Sequence, residues 1–167
     1  MVQLNAQEVA DRLQAKFGNK IRHVEEPHGF LTITVAREAV KDIIQWLYDE
    51  PTLEFRFLTN CNGMHFPDGT EKFGMVYHLH SLTNNFRLRL KTFTNEDPPV
   101  FPSLTPIFKA ANWMERETYD FFGFKFTGHP DLRRILNMDN LEGWPLRKEF
   151  PLEDPFRKDK DDAMFGR

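Results

Sequence analysis

From Phe86 to Thr92 the sequence alternates without interruption, with Phe86, Leu88, Leu90 and Thr92 on one side and Arg87, Arg89 and Lys91 on the other. Successive side chains of a strand point to opposite faces, so this run predicts a strand with one dry face and one wet face. Two more strand-like stretches precede it, LEFRFLTNCN and EKFGMVYHLHSL. Turn chemistry at Phe66-Pro67-Asp68-Gly69-Thr70 and at Asn84-Asn85 separates the three, so they are expected to form an antiparallel meander.

Upstream, Asn5 is placed to cap a helix over AQEVADRLQAKF, with Val9, Leu13 and Phe17 at helical spacing and Gly18 as its stop. KIRHVEE and FLTITV read as strands around a turn at Pro27-His28-Gly29. A second helix, Arg37 to Tyr48, lines up Val40, Ile43, Ile44 and Leu47 before Pro51 ends it. The order is α-β-β-α-β-β-β, an α+β class with helices against one face of an antiparallel meander sheet. Many of the 17 Phe fall on the strand stretches, which suits a thick apolar face.

After residue 95 the chain changes character. A Pro-rich connector, NEDPPVFPSL, leads to a third helix expected to start near Ser103 or Thr105 and to end at Gly123, followed by a hairpin-like return, FGFKFTG. From Pro130 to Arg167, prolines at 130, 145, 151 and 155 interrupt apolar residues that keep no period: Leu132, Ile135, Leu136, Trp144, Leu146, Phe150, Leu152 and Phe156. Such a stretch cannot build a core of its own, yet it is too apolar for a disordered tail. It is expected to lie extended and to bury its side chains one at a time, against a partner. Three units result: an α+β domain over 1–95, the connector, helix and return over 96–129, and a partner-docking segment over 130–167.

Several chemistries have no residues to carry them. The nine glycines form neither common nucleotide loop, and one cysteine cannot supply the four thiolates of an iron–sulfur cluster. Ser81 and Ser103 sit in no nucleophile elbow, and Cys61 has no neighbouring base, so a buried inert thiol is expected. His78 and His80 share a strand face, a weak metal pattern without a third ligand. A net charge of −3 disfavours a single-strand nucleic-acid module built on sheet aromatics. No apolar run approaches the roughly 20 residues that cross a bilayer, the first residues show no signal pattern, and a cytosolic setting is the default expectation.

The densest chemistry is WMERETYDFFGFKFTGHPDLRRIL, Trp113 to Leu136. Glu115 and Glu117, two apart on a helix, point about 200° from each other and cannot share a substrate. Glu117 and Asp120 share a face, and with His129 they could form an acid–base site. Arg116 and Asp120 are spaced to pair, while Arg116 and Glu115 are expected to find partners outside the helix. The other reading is a network of ion pairs, with His129, Arg133 and Arg134, pinning the helix to the return segment.

Glu115-Arg116-Glu117-x-x-Asp120-Phe121-Phe122, followed by His129 and Arg133-x-Ile135-Leu136, resembles the pattern of the thirty-kilodalton subunit of respiratory complex I. In bacteria this is the C-subunit of NADH-quinone oxidoreductase. The flanks are similar too: Ala111-Asn112-Trp113, Gly128-His129-Pro130-Asp131-Leu132-Arg133-Arg134, and Glu142-Gly143-Trp144-Pro145-Leu146-Arg147-Lys148-Glu149-Phe150-Pro151, where the family often has His in place of Trp144. The resemblance implies a peripheral-arm subunit on the cytoplasmic side of the cell (inner) membrane, part of a proton-translocating respiratory-chain enzyme. It implies no catalytic residue, cofactor or metal in this chain. FMN, Fe-S clusters and quinone would lie in partner subunits, and the partners would include the quinone-pocket subunit and the holder of the terminal Fe-S cluster. It also implies the unfused form of the subunit. Glu115, Arg116, Glu117, Asp120, Phe121, Phe122, His129, Arg133, Arg134, Trp144 and Arg147 become expected motif and interface residues. Related subunits of coenzyme F420 dehydrogenases or membrane-bound hydrogenases are the nearest alternative.

Overall fold

The computed structural model describes residues 4–151. Leu152 and Phe156, expected in the docking segment, lie outside them. The Asn5 side chain accepts the Glu8 N–H at 2.7 Å and starts α1 (Ala6–Phe17), which Gly18 ends at φ +51°. β1 (Ile21–Glu25) and β2 (Thr32–Val35) pair antiparallel, and a short 3-10 turn leads into α2 (Val40–Asp49). β3 (Phe57–His65), β4 (Phe73–Ser81) and β5 (Phe86–Thr94) form the expected antiparallel meander. The two parts join through a parallel pairing of β2 with β5, so the five-stranded sheet is mixed, in the order β1-β2-β5-β4-β3.

The predicted alternation decides what each face carries. Leu88, Leu90 and Thr92 of β5, Met75, Tyr77 and Leu79 of β4, and Ile33 and Val35 of β2 are buried on one face. Val9 and Leu13 of α1 and Ile43, Ile44 and Leu47 of α2 close over them. Phe101, Leu104, Phe108, Ala111, Phe124 and Phe126, all beyond residue 95, belong to the same buried cluster.

Three differences from the sequence reading stand out. β3 begins at Phe57 rather than Leu53, because the chain leaving α2 first turns through Glu54 at φ +47° and returns the Phe55 N–H to the Leu47 carbonyl. α3 (Ala111–Phe122) begins well after Ser103. A single turn does start there, with the Thr105 N–H on Ser103 Oγ at 3.2 Å and the Phe108 N–H on the Leu104 carbonyl at 2.8 Å, but it is not continued into α3. The return segment is not a hairpin: β7 (Lys125–Thr127) pairs in parallel with β6 (Val100–Pro102) of the connector, setting Phe126 opposite Phe101. No described helix is long and apolar enough to cross a membrane.

Candidate functional site

α3 lies on β3, and Gly63 makes the approach possible. A Cβ there would stand 2.8 Å from the Thr118 methyl. Ala111, Glu115 and Thr118, at helical spacing, form the buried side of α3. Glu115 is therefore a fully buried carboxylate, and it reaches back along the chain: Oε1 accepts the Leu104 N–H and Oε2 the Ser103 hydroxyl, both at 2.7 Å. Burial pushes its pKa up to about 7, against the pull of those two donors. A carboxyl raised in the fold stabilises it fully below its ordinary value near 4.5, and loses that contribution as pH rises through about 7. Glu115→Gln, which keeps both hydrogen bonds in neutral form, is expected to remove a loss of roughly 3 kcal/mol from the urea-unfolding stability between pH 4.5 and 8.

Five residues on, Asp120 is also fully buried and does something different. Its Oδ2 accepts three successive backbone N–H groups, from Ile135, Leu136 and Asn137, at 3.1, 2.8 and 2.9 Å. Its Oδ1 receives Arg134 Nη1 at 3.0 Å. Burial alone would raise this carboxyl, but the N–H groups of Asn137, Leu136 and Ile135 outweigh it and hold its pKa well below the usual range. Arg134 runs on to the Leu141 carbonyl at 2.8 Å and lies 4.9 Å from the Trp144 ring centroid. Arg116, which helical spacing would pair with Asp120, instead donates to the carbonyls of Arg133 and Arg134 at 3.2 and 3.1 Å. The carboxylate was already filled by backbone donors that the spacing argument cannot see.

Beyond the helix end, Gly123 stands at φ +76° directly under Trp144. Trp144 packs edge-on against Tyr119. The Phe121 carbonyl accepts the Leu146 N–H, and the Phe122 carbonyl accepts Arg147 Nε at 2.7 Å. Buried Arg147 also forks onto Asp97 of the connector at 2.9 and 3.2 Å and covers the Phe73 ring. The Phe122 ring packs against Phe124.

Asp120, Arg116, Arg134, Phe121, Phe122, Trp144 and Arg147 thus join α3 to residues 133–147. The other motif residues stand apart from that joint. His129 holds the Asn112 carbonyl through Nε2 at 3.2 Å and the Asp131 N–H through Nδ1. Arg133 is exposed and pairs with Asp131, and Glu117 is exposed. Sequence reasoning missed Asp97, Ser103 and His65, whose Nδ1 accepts the Lys148 N–H. Only the charge of Asp97, placed among prolines, gave any hint.

The acid–base trio does not assemble into a reactive group, since Asp120 is occupied by backbone donors and His129 by the start of α3. A cleft of about 680 Å³ beside the β3–β4 turn is lined by His65, Phe66, Phe93 and Lys148 among others, and by none of Glu117, Asp120 or His129. Cys61 is buried, and burial, then the Glu115 charge, push its thiol pKa well up. His78 accepts from Arg89 at 3.0 Å. Among the described residues no group of three or more His, Cys, Asp or Glu side chains could hold a metal ion.

Residues 33–156 match the model of the family described as respiratory-chain NADH dehydrogenase, 30 Kd subunit. The NADH-quinone oxidoreductase C-subunit of Methylorubrum populi is 41% identical over 157 residues, which is 93% of this chain and 71% of that protein. The Rhizobium etli C-subunit designated 2 is 41% identical over 141 residues, 84% of this chain and 74% of that one. Among solved structures, the trypsin-resistant fragment of Nqo5 superposes with a TM-score of 0.65 at 31% identity, covering 77% of this chain and all of the fragment. A chain of the membrane-bound sulfane sulfur reductase, an archaeal respiratory membrane complex, superposes at 0.73 over 93% of this chain and 96% of its own. Its 22% identity makes that a likeness of fold.

Proposed function

The chain belongs to the 30 Kd subunit family of respiratory-chain NADH dehydrogenase, and from that premise we propose that it is a structural subunit of NADH:quinone oxidoreductase. In this reading it carries no redox centre and no catalytic residue. Electrons pass from NADH through FMN and Fe-S clusters to quinone in the partner subunits, while this chain holds those partners in place. It sits in the peripheral arm, attached to the membrane only through the complex, on the cytoplasmic side of the cell (inner) membrane. Its neighbours are the quinone-pocket subunit and the subunit with the terminal Fe-S cluster. Relatives named for NADH-quinone oxidoreductase leave the F420-dependent and hydrogenase alternatives without support.

One observation carries this role: the charges of Asp120 and Arg116 are spent largely on backbone. Asp120 holds three consecutive N–H groups and Arg116 two carbonyls, so the stretch 133–137 is fixed, with Leu136 on it and Met138 just beyond it each about two-thirds exposed. A carboxylate and a guanidinium used in this way shape a surface and are not available for proton transfer. Exposed apolar side chains on a pinned segment suit a stable partner interface.

Arg116→Ala is the test. It is expected to lower the amount of assembled complex severalfold, while NADH:quinone turnover per assembled complex stays near wild type. Blue-native electrophoresis measures the first and a quinone-reduction assay the second. Full assembly with turnover abolished would overturn the structural reading.

A further inference from the structure

The wet face of the sheet remains unused by the joint described above. Along β5, Arg87, Arg89 and Lys91 point outward, and β4 sets His80 opposite Arg87 and His78 opposite Arg89. Asn60 and Phe57 of β3 continue the same face, with Phe57 beside His80 and about half exposed. In a chain of net charge −3 this is a local excess of cation. Lys91 is answered by Glu25 at 2.9 Å. Among the described residues no carboxylate lies within ion-pair distance of Arg87 or Arg89.

Arg89 is unusually constrained for an unpaired surface arginine. Its guanidinium lies 4.7 Å from the Phe30 ring centroid, and its Nε donates to His78 Nε2 at 3.0 Å. The His78 ring meets Phe30 edge-on. Burial first, then the charge of Arg89, lower the His78 pKa, which keeps Nε2 an acceptor. With the plane fixed on Phe30 and Nε engaged, both Nη groups have no partner among the described residues. A guanidinium fixed in this way loses little entropy when it grips a carboxylate through two parallel hydrogen bonds. Arg87 repeats the cation about 7 Å further along the same strand.

We propose that this outward face of β4 and β5 is an interaction surface for an acidic, extended segment of a partner subunit. Carboxylates at alternate positions of that segment engage Arg89 and Arg87. The inference rests on the subunit role argued above. An anionic lipid surface is the poorer fit: such surfaces attract clusters of four to eight basic residues at about 1 kcal/mol each, and here two arginines are available. Arginines beside one half-exposed aromatic and neutral amides instead match the make-up of a protein interface.

The experiment places a photo-crosslinking phenylalanine analogue at Arg87 in the full chain within the assembled complex. It is paired with salt-wash retention of an Arg87→Glu, Arg89→Gln variant. The expected result is a crosslink to an Asp- or Glu-rich stretch of another subunit, and at least a tenfold drop in retention at moderate salt. Arg87→Glu alone, at an exposed position, leaves the thermal unfolding of the isolated chain unchanged and lowers retention in part. Crosslinks only to phospholipid, only to residues 152–167 of the same chain, or to nothing overturn the surface, as does full retention of the double variant. Failure of the wild-type chain to co-purify with the complex overturns the subunit role, and this surface with it.

Discussion

Gly123→Ala is expected to lower the stability of the full chain by about 3 kcal/mol, from two causes that add. The first is backbone: at φ +76° an L side chain costs about 1–2 kcal/mol relative to glycine. The second is contact. The new Cβ would fall 2.4 Å from Trp144 Cε2 and 2.6 Å from its Nε1, far inside any real carbon contact. The indole cannot swing away freely, because Tyr119 lies against its edge and Arg134 covers its face. Moving it would strip the joint between α3 and residues 141–147. Urea unfolding of the single variants and of the Gly123→Ala, Trp144→Ala pair separates the causes. If contact contributes, the double variant loses at least 1 kcal/mol less than the sum of the two singles. Strict additivity would leave the backbone as the whole effect, and an unchanged midpoint for Gly123→Ala would remove both.

The same residues show where sequence reasoning reached and where it stopped. α1, α2 and the β3–β5 meander were legible because their signals are local: Asn5 as a cap, Gly18 as a stop, strict alternation from Phe86 to Thr92. The parallel contact of β2 with β5 was not legible, since it is set by how a hairpin, β1–β2, and a meander, β3–β5, pack on one core. α3 was misplaced at its start because nothing near Ser103 announces that a carboxylate twelve residues on will take its hydroxyl. Within the motif, Arg116 and Asp120 invited pairing by helical spacing, and the spacing was real. What decided otherwise was the backbone of Ile135, Leu136 and Asn137, whose N–H groups exist at every residue and leave no mark in a sequence. Arg147 and Asp97 are fifty positions apart and meet only in the folded chain. Dense charge could therefore be located in advance, but its partners could not.

Asp120→Ala is expected to be the most damaging single substitution in the chain, costing about 3–5 kcal/mol. Three N–H groups lose their common acceptor, and Arg134, almost buried, loses its counter-ion. Asp120→Asn keeps one acceptor oxygen but not the charge, so it should fall between alanine and wild type. Replacing Arg134 by Met in the Asp120→Ala background removes the stranded cation and should recover part of the loss. If the stranded cation mattered little, Arg134→Met would only add to the damage. Hydrogen exchange locates the effect, because the amides of residues 135–137 should lose protection first and by the largest factor. The pH dependence has the opposite sign to that of Glu115. A carboxyl lowered in the fold stabilises above its ordinary value near 3.8, and that contribution is lost as pH falls toward the lowered one. Wild type should therefore release 133–137 only in strong acid, while the alanine variant shows no such acid step. In the assembled enzyme the alanine variant should deplete the complex more than Arg116→Ala does, since half-buried Arg116 holds two carbonyls while fully buried Asp120 holds three N–H groups and the Arg134 cation. Equal depletion by the two would mean that the segment is held by its partner subunits and not by α3.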